Sequence, residues 1–106
     1  MKRLKFLDYL PELILTGKKN TTWRVNDEKN IQRGDELSLC NKDGVEFARA
    51  VVIKAKETVF GKLTEDDKKG HENFANNEEM YKTYSRYYKM EIAPETRLKI
   101  IKFRLS

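Results

Sequence analysis

Apolar and polar positions alternate strand-fashion over several stretches of this chain and switch to a helical period in between. Leu4-Lys5-Phe6 is a short alternating patch that predicts an opening strand. From Asp8 the spacing changes. Leu10, Leu13 and Ile14 share one helical face, Asp8 is placed to cap it, and Pro11 fits its first turn. Gly17 stands where a helix takes its left-handed C-terminal residue. Thr21-Thr22-Trp23-Arg24-Val25 is β-branched and aromatic and predicts a strand. Beyond a Gly34-Asp35 turn, Glu36–Cys40 predicts another, with Leu37 and Leu39 on one face. Asn41-Lys42-Asp43-Gly44 is a hairpin signal, because Asp-Gly supplies the positive φ of a tight turn. The return strand is predicted over Val45 to Lys56. It puts Val45, Phe47, Val51 and Ile53 on one face and Glu46, Ala48, Ala50, Val52 and Lys54 on the other, so both faces are expected to be partly buried.

Thr64 with Asp67 reads as a capping box before a short acidic helix that ends at Gly70. Asn76 with Glu79 repeats the logic for a longer helix, whose face carries Met80, Tyr84 and Tyr87. Pro94 bars continuation, and Leu98–Leu105 closes the chain as a strand with Ile101, Phe103 and Leu105 inward. The order predicts an α+β fold, a small mixed β-barrel flanked by two to three short helices. It forms one domain over residues 1–106, not a parallel α/β sheet.

Composition narrows the class. The 106 residues are 39% apolar and 37% charged with mean hydropathy −0.79, yet five Phe, five Tyr and one Trp suffice for a core. Cys40 is the only cysteine, so no internal disulfide can form and a reducing compartment is expected. One Cys and one His (His71) exclude zinc fingers and a Cys–His nucleophilic pair, and no metal or cofactor is expected. No apolar run reaches the roughly 20 residues of a membrane span and no signal-peptide pattern opens the chain. A cytoplasmic protein without a membrane partner is the expectation. Basic residues outnumber acidic ones, 22 to 17, for a net charge of +5. If the termini meet, Lys2, Arg3 and Lys5 join Lys99, Lys102 and Arg104 in one positive face suited to phosphate. A lysine-rich surface that only keeps a small protein soluble explains the same count.

The candidate chemistry lies in Gly17-Lys18-Lys19-Asn20-Thr21-Thr22-Trp23-Arg24, spaced G-x-K-x-x-T-x-R. Thr22 and Arg24 are two apart on a strand and project from one face, with Lys19 in the preceding loop. A hydroxyl, an amine and a guanidinium then converge beside a helix end. A helix cap, a solvated lysine and an outward arginine describe the same residues, and the motif alone does not choose. Trp23, on the opposite face, reads as a core or rim residue. Cys40 reads as a small buried hydrophobe, and His71 as an exposed loop residue, its proximity to Glu72 making a second acid–base group the other reading.

This spacing after a short N-terminal helix resembles the signature of the ASCH domain family, a branch of the PUA-like superfamily of small β-barrels. Gly34-Asp35 with Leu37 matches the G-D-x-L turn of such domains, and the resemblance runs from Leu10 to Phe103. It implies a nucleotide- or RNA-associated protein. A short branch of about this length is similar and implies an amidohydrolase acting on N(4)-acetylcytidine with no metal. Its catalytic Lys and Thr match Lys19 and Thr22. Its Glu matches Glu72, by an L-T-E … E-N pattern at Leu63-Thr64-Glu65 and Glu72-Asn73, with Glu65 as the alternative.

Such hydrolysis needs a nucleophile, a base, an oxyanion partner and an acid for the leaving nitrogen. In one division Lys19 activates Thr22, Arg24 or backbone amides near the helix end hold the oxyanion, and Glu72 protonates the amine. In the other, Thr22 orients a water and Lys19 stabilises charge. Tyr81 and Tyr88 are the candidate base-stacking residues on the long helix, with Tyr84 at core spacing. The expected partner is a modified nucleoside or RNA. A non-catalytic RNA-binding module using the same cleft is the alternative, and an adaptor docking a protein through helix 77–88 is the third.

Overall fold

The computed structural model describes residues 1–106. Five strands form one sheet: β1 (Lys2–Lys5), β2 (Thr21–Arg24), β3 (Glu36–Cys40), β4 (Glu46–Val59) and β5 (Arg97–Leu105), in the order β1-β3-β4-β5-β2. Only β1 and β3 run parallel; every other neighbour is antiparallel. The sheet curls into a half-barrel with β1 and β2 as its edges. Helices α1 (Leu10–Leu15), α2 (Glu65–Lys68) and α3 (Asn77–Tyr88) flank it, so the α+β half-barrel matches the sequence-based expectation.

The curl has a local cause in β4. Its pairing with β5 steps from Val52↔Phe103 to Lys54↔Lys102, leaving Ile53 as the extra residue of a bulge. A bulge bends the strand and shifts the inward phase by one. Ala50 and Val52 are buried before it and Ala55 packs inward after it, while Ile53 is 49% exposed. Residues of both faces are partly buried, as expected, but the unbroken alternation through Ile53 is corrected, and Val45 precedes the strand and is exposed.

Two cores share β5. Ile101 and Phe103 join Leu4, Phe6, Ile14 and Leu37 on the concave side, whereas Leu98 and Ile100 join Trp23, Val25, Phe60 and Tyr84 under α3. Burial on both faces explains why Leu98–Phe103 reads as a nearly continuous apolar run. Leu105, predicted inward, is 41% exposed where the strand leaves both cores. The positive face also fails to form. Strands β1 and β5 are not neighbours, Lys2 and Lys102 pair with Asp35 and Asp66, and Lys99 is buried against Asp27 and the Ile31 carbonyl.

Local signals behave as their chemistry requires, with one exception. The Thr64–Asp67 capping box is present, and the Asn76 side chain accepts from Glu79 N–H. Asp8 does not cap α1; it has φ 53°, and Tyr9 takes the N-cap position without a side-chain bond. Gly17 (φ 82°) ends α1 as expected, and the Lys18 and Lys19 amides fold back onto the Leu13 carbonyl.

Gly70 ties the segment after α2 to the start of β2, its carbonyl accepting from the Asn20 and Thr21 amides at 2.9 and 3.0 Å. It sits at φ 75°, and a Cβ there would lie 1.8 Å from Asn20 Oδ1. Gly44 has a similar φ of 81° but open space around it. Gly44→Ala is expected to cost about 1–2 kcal/mol from backbone conformation alone. Gly70→Ala should cost clearly more in urea unfolding. Equal losses would mean that Asn20 moves aside freely.

Candidate functional site

The two edge strands do not pair with each other, and a cavity of about 250 Å³ opens between them. Lys5, Phe6, Leu7 and Leu10 line one side, Lys19, Thr22, Trp23 and Arg24 the other, and Glu72, Tyr84, Tyr87 and Tyr88 close it. Three segments distant in sequence meet here because β1 follows β3 to one edge and β5 carries β2 to the other.

Lys19 is 2% exposed, and the turn after α1 delivers its side chain to the cavity. Its Nζ donates to the Thr21 carbonyl at 2.7 Å and to Glu72 Oε2 at 2.6 Å. Burial lowers the Lys19 pKa, Glu72 works against that, and Arg24 adds to it. An ammonium has three donors, so two are occupied and one remains for the cavity. For Glu72, burial alone would raise the pKa. His71 and Lys19 outweigh it and hold the carboxyl below its usual range. At neutral pH, where His71 is uncharged, Lys19 is the partner that matters.

Thr22 and Arg24 do project together. The guanidinium Nε donates to Thr22 Oγ1 at 3.2 Å, Nη2 reaches across to the Lys5 carbonyl at 3.1 Å, and the group lies 4.8 Å above the Phe6 ring. Arg24 thus bridges the two edges. Because Thr22 Oγ1 accepts from Arg24, its own proton is free to donate into the cavity.

His71 is the largest departure from the sequence reading. It is buried, stacked on the Trp23 indole at 3.8 Å between centroids and 14° between planes. Burial first, and Lys19 second, lower its pKa from 6.5 to about 4. The neutral ring donates from Nδ1 to the Glu72 carbonyl at 2.9 Å, so Nε2 accepts from the Tyr84 hydroxyl at 2.8 Å. Burial holds the Tyr84 pKa well above its usual value, which keeps that proton in place. His71 thereby fixes both the backbone that carries Glu72 and the tyrosine beside it. Its place in sequence, between Gly70 and the candidate glutamate, was the available signal.

Of the other candidates, Tyr88 lines the cavity and accepts from the Val25 amide at 3.1 Å. Tyr81 packs edge-on against Phe60 and does not line it. Glu65 is exposed in the first turn of α2 and is not brought to Lys19. Tyr87, expected in the core with Met80 and Tyr84, is 47% exposed at the cavity rim. Cys40 is buried as expected, and Trp23 is buried with its Nε1 donating to the Asp67 carbonyl. No group of three or more His, Cys, Asp or Glu side chains is arranged to hold a metal ion, and no helix is long and apolar enough to cross a membrane.

This curled five-stranded sheet with three helices has the fold of an ASCH domain of known structure. No protein-family model and no curated protein matches the sequence. Among solved structures, the chain is similar to an ASCH domain from Lactobacillus crispatus JV V101. The TM-score is 0.69 at 16% identity, covering 98% of this chain and 79% of that one. It is similar to protein EF3133 of Enterococcus faecalis V583, of family DUF984, with TM-score 0.72 at 15% identity over 92% and 70% of the two chains. Hypothetical protein PH0355 superposes over 100% of both chains with TM-score 0.76 at 23% identity.

The buried histidine makes stability pH-dependent. Its folded pKa of about 4 lies below the ordinary 6.5, so between these values the unfolded chain binds a proton that the native one refuses. That contribution is complete above pH 6.5 and is lost as pH falls toward 4, about 3 kcal/mol in all. Denaturant titrations across this window should show a steeper loss in the parent protein than in His71→Gln. Parallel curves would contradict a neutral buried imidazole.

Proposed function

We propose that this protein is a metal-independent amidohydrolase that removes an acyl group from the exocyclic amine of a cytidine-type nucleoside such as N(4)-acetylcytidine. The observation that carries the reading is convergence: Lys19, Thr22, Arg24 and Glu72 all line one cavity, with Lys19 and Glu72 in direct contact. A binding module has no need to bury an ammonium against a carboxylate inside a concave, largely aromatic site. Tyr87 and Tyr88 provide flat surfaces for a heterocycle, while Lys19 and Thr22 are more deeply buried.

The hydrogen bonds favour the division in which water attacks. Lys19 makes no hydrogen bond to Thr22, and the Thr22 hydroxyl is oriented by Arg24 instead. The ionised Glu72 takes a proton from water as its oxygen adds to the acyl carbon. The free Lys19 donor and the Thr22 hydroxyl hold the developing oxyanion. As the carbon–nitrogen bond breaks, Glu72 returns the proton to the departing exocyclic nitrogen, releasing the amine and a carboxylic acid.

A second reading, a non-catalytic RNA-binding module, draws on a neighbouring cavity of about 620 Å³ that shares Arg24 and includes Lys62 and Arg97, although Asp27, paired with Lys99, and Glu57 also line it. It expects oligonucleotide affinity that falls steeply with salt and no turnover.

Chromatography of N(4)-acetylcytidine incubated with the protein distinguishes the two. The first reading expects cytidine to accumulate, Lys19→Met to abolish turnover, and Glu72→Gln to reduce it about 10²–10⁴-fold while folded and still binding. Wild-type protein that is folded yet inert refutes the hydrolase. Salt-sensitive oligonucleotide binding by that same protein would establish the second reading.

A further inference from the structure

Strand β2 lies at a sheet edge, and its register shows which backbone groups face outward. The Phe103 amide donates to the Asn20 carbonyl at 3.0 Å, and the same ladder sets Thr22 opposite Ile101 and Trp23 opposite Ile100. Residues 20, 22 and 24 therefore turn their backbone groups to β5, and residues 21, 23 and 25 turn theirs to the free edge. The flanking outward groups are all occupied. Thr21 N–H donates to the Gly70 carbonyl, the Thr21 carbonyl accepts from Lys19 Nζ, and Val25 N–H donates to the Tyr88 hydroxyl. Between them stands Trp23, 3% exposed as a residue and lining the cavity, whose N–H and C=O make no hydrogen bond to a strand or a side chain. Its indole is committed elsewhere, to His71 and the Asp67 carbonyl. Buried backbone groups left in this way are rare and call for a partner.

We propose that the Trp23 N–H and C=O form a ligand-reading edge. It takes a planar heterocycle that presents an acceptor beside an N–H, the amidine or lactam edge of a pyrimidine-type ring, through two hydrogen bonds like those of an added strand. Applied to cytidine this rests on the function proposed above. Ring N3 accepts from Trp23 N–H and the exocyclic N–H donates to Trp23 C=O, which leaves an acyl group on the side of the nitrogen away from the strand. The edge then sets which base is bound, while Lys19, Thr22 and Glu72 act on what it carries.

The test follows amide resonances of ¹⁵N-labelled protein titrated with cytidine, 3-deazacytidine (no ring acceptor), N(4),N(4)-dimethylcytidine (no donor), uracil and 2-aminopyridine. Cytidine should move the Trp23 amide, and each deleted analogue should bind at least about 10-fold more weakly, because a buried backbone group is left unpaired. Shifts at Lys19 and Glu72 with none at Trp23 overturn the edge. Should cytidine move nothing, the nucleoside reading fails. The edge is then judged on uracil and 2-aminopyridine, which carry the same acceptor–donor pattern: a Trp23 shift upholds it and none overturns it. Replacing the residue-23 amide by an ester, through the α-hydroxy analogue of tryptophan, gives a check on the free protein. This replacement and the same one at Val25 both weaken the carbonyl of the preceding residue, which is bonded to β5, so the change at residue 23 should cost clearly less stability than that at Val25, whose N–H is bonded as well. Loss of stability at residue 23 equal to that at residue 25 would show that its N–H already has a partner and would overturn the proposal.

Discussion

A curled sheet that does not close leaves two strand edges facing each other, and each unpaired backbone group buried there costs about 1–3 kcal/mol. The way this chain satisfies the β1 and β2 edges decides where everything else goes. The Arg3 carbonyl accepts from Lys29 and the Lys5 carbonyl from Arg24, while Lys19 and Tyr88 serve the outward groups of residues 21 and 25. Side chains thus do the work of a missing strand. The cavity is the stretch of seam that they leave open.

The cost of that solution is concentrated in Lys19. A fully buried ammonium is tolerable only with close partners, and Glu72 at 2.6 Å with the Thr21 carbonyl at 2.7 Å supplies them. Removing one member of such a pair strands the other, so Lys19 and Glu72 are coupled in stability as well as in chemistry. The neutral His71 follows first from its burial and then from the same charge. Its ring lies where Lys19 disfavours a second cation, and the resulting tautomer orients both the Glu72 backbone and Tyr84. One buried cation therefore sets the ionisation of its partner carboxylate and contributes to that of the imidazole beside it.

What could be read from the chain was local or carried by short spacing. The Thr64–Asp67 box, the Asn76 cap, the Gly17 helix end and the shared face of Thr22 and Arg24 each depend on residues within a few positions of one another. The approach of Glu72 to Lys19 came from a family pattern, since nothing in 53 residues of separation specifies it physically. Apart from Asp8, which does not cap α1, the main failures were long-range. A bulge at Ile53 shifts the strand phase, and no composition signal marks it. The wall of Lys5, Phe6 and Leu7 exists only because β1 pairs parallel with β3. His71 looked like a loop residue because its stacking partner, Trp23, lies on a strand far away in sequence.

Arg24 shows how structural and chemical roles constrain each other here. Its guanidinium already spans the seam to the Lys5 carbonyl, holds the Thr22 hydroxyl and lies over Phe6, three commitments that fix it in one geometry. A group so held is a poor choice for following a developing charge but a good one for aiming a hydroxyl. Lys19, with one donor to spare, is the better oxyanion partner. The division of labour at the site then follows from which cations the open seam has already used.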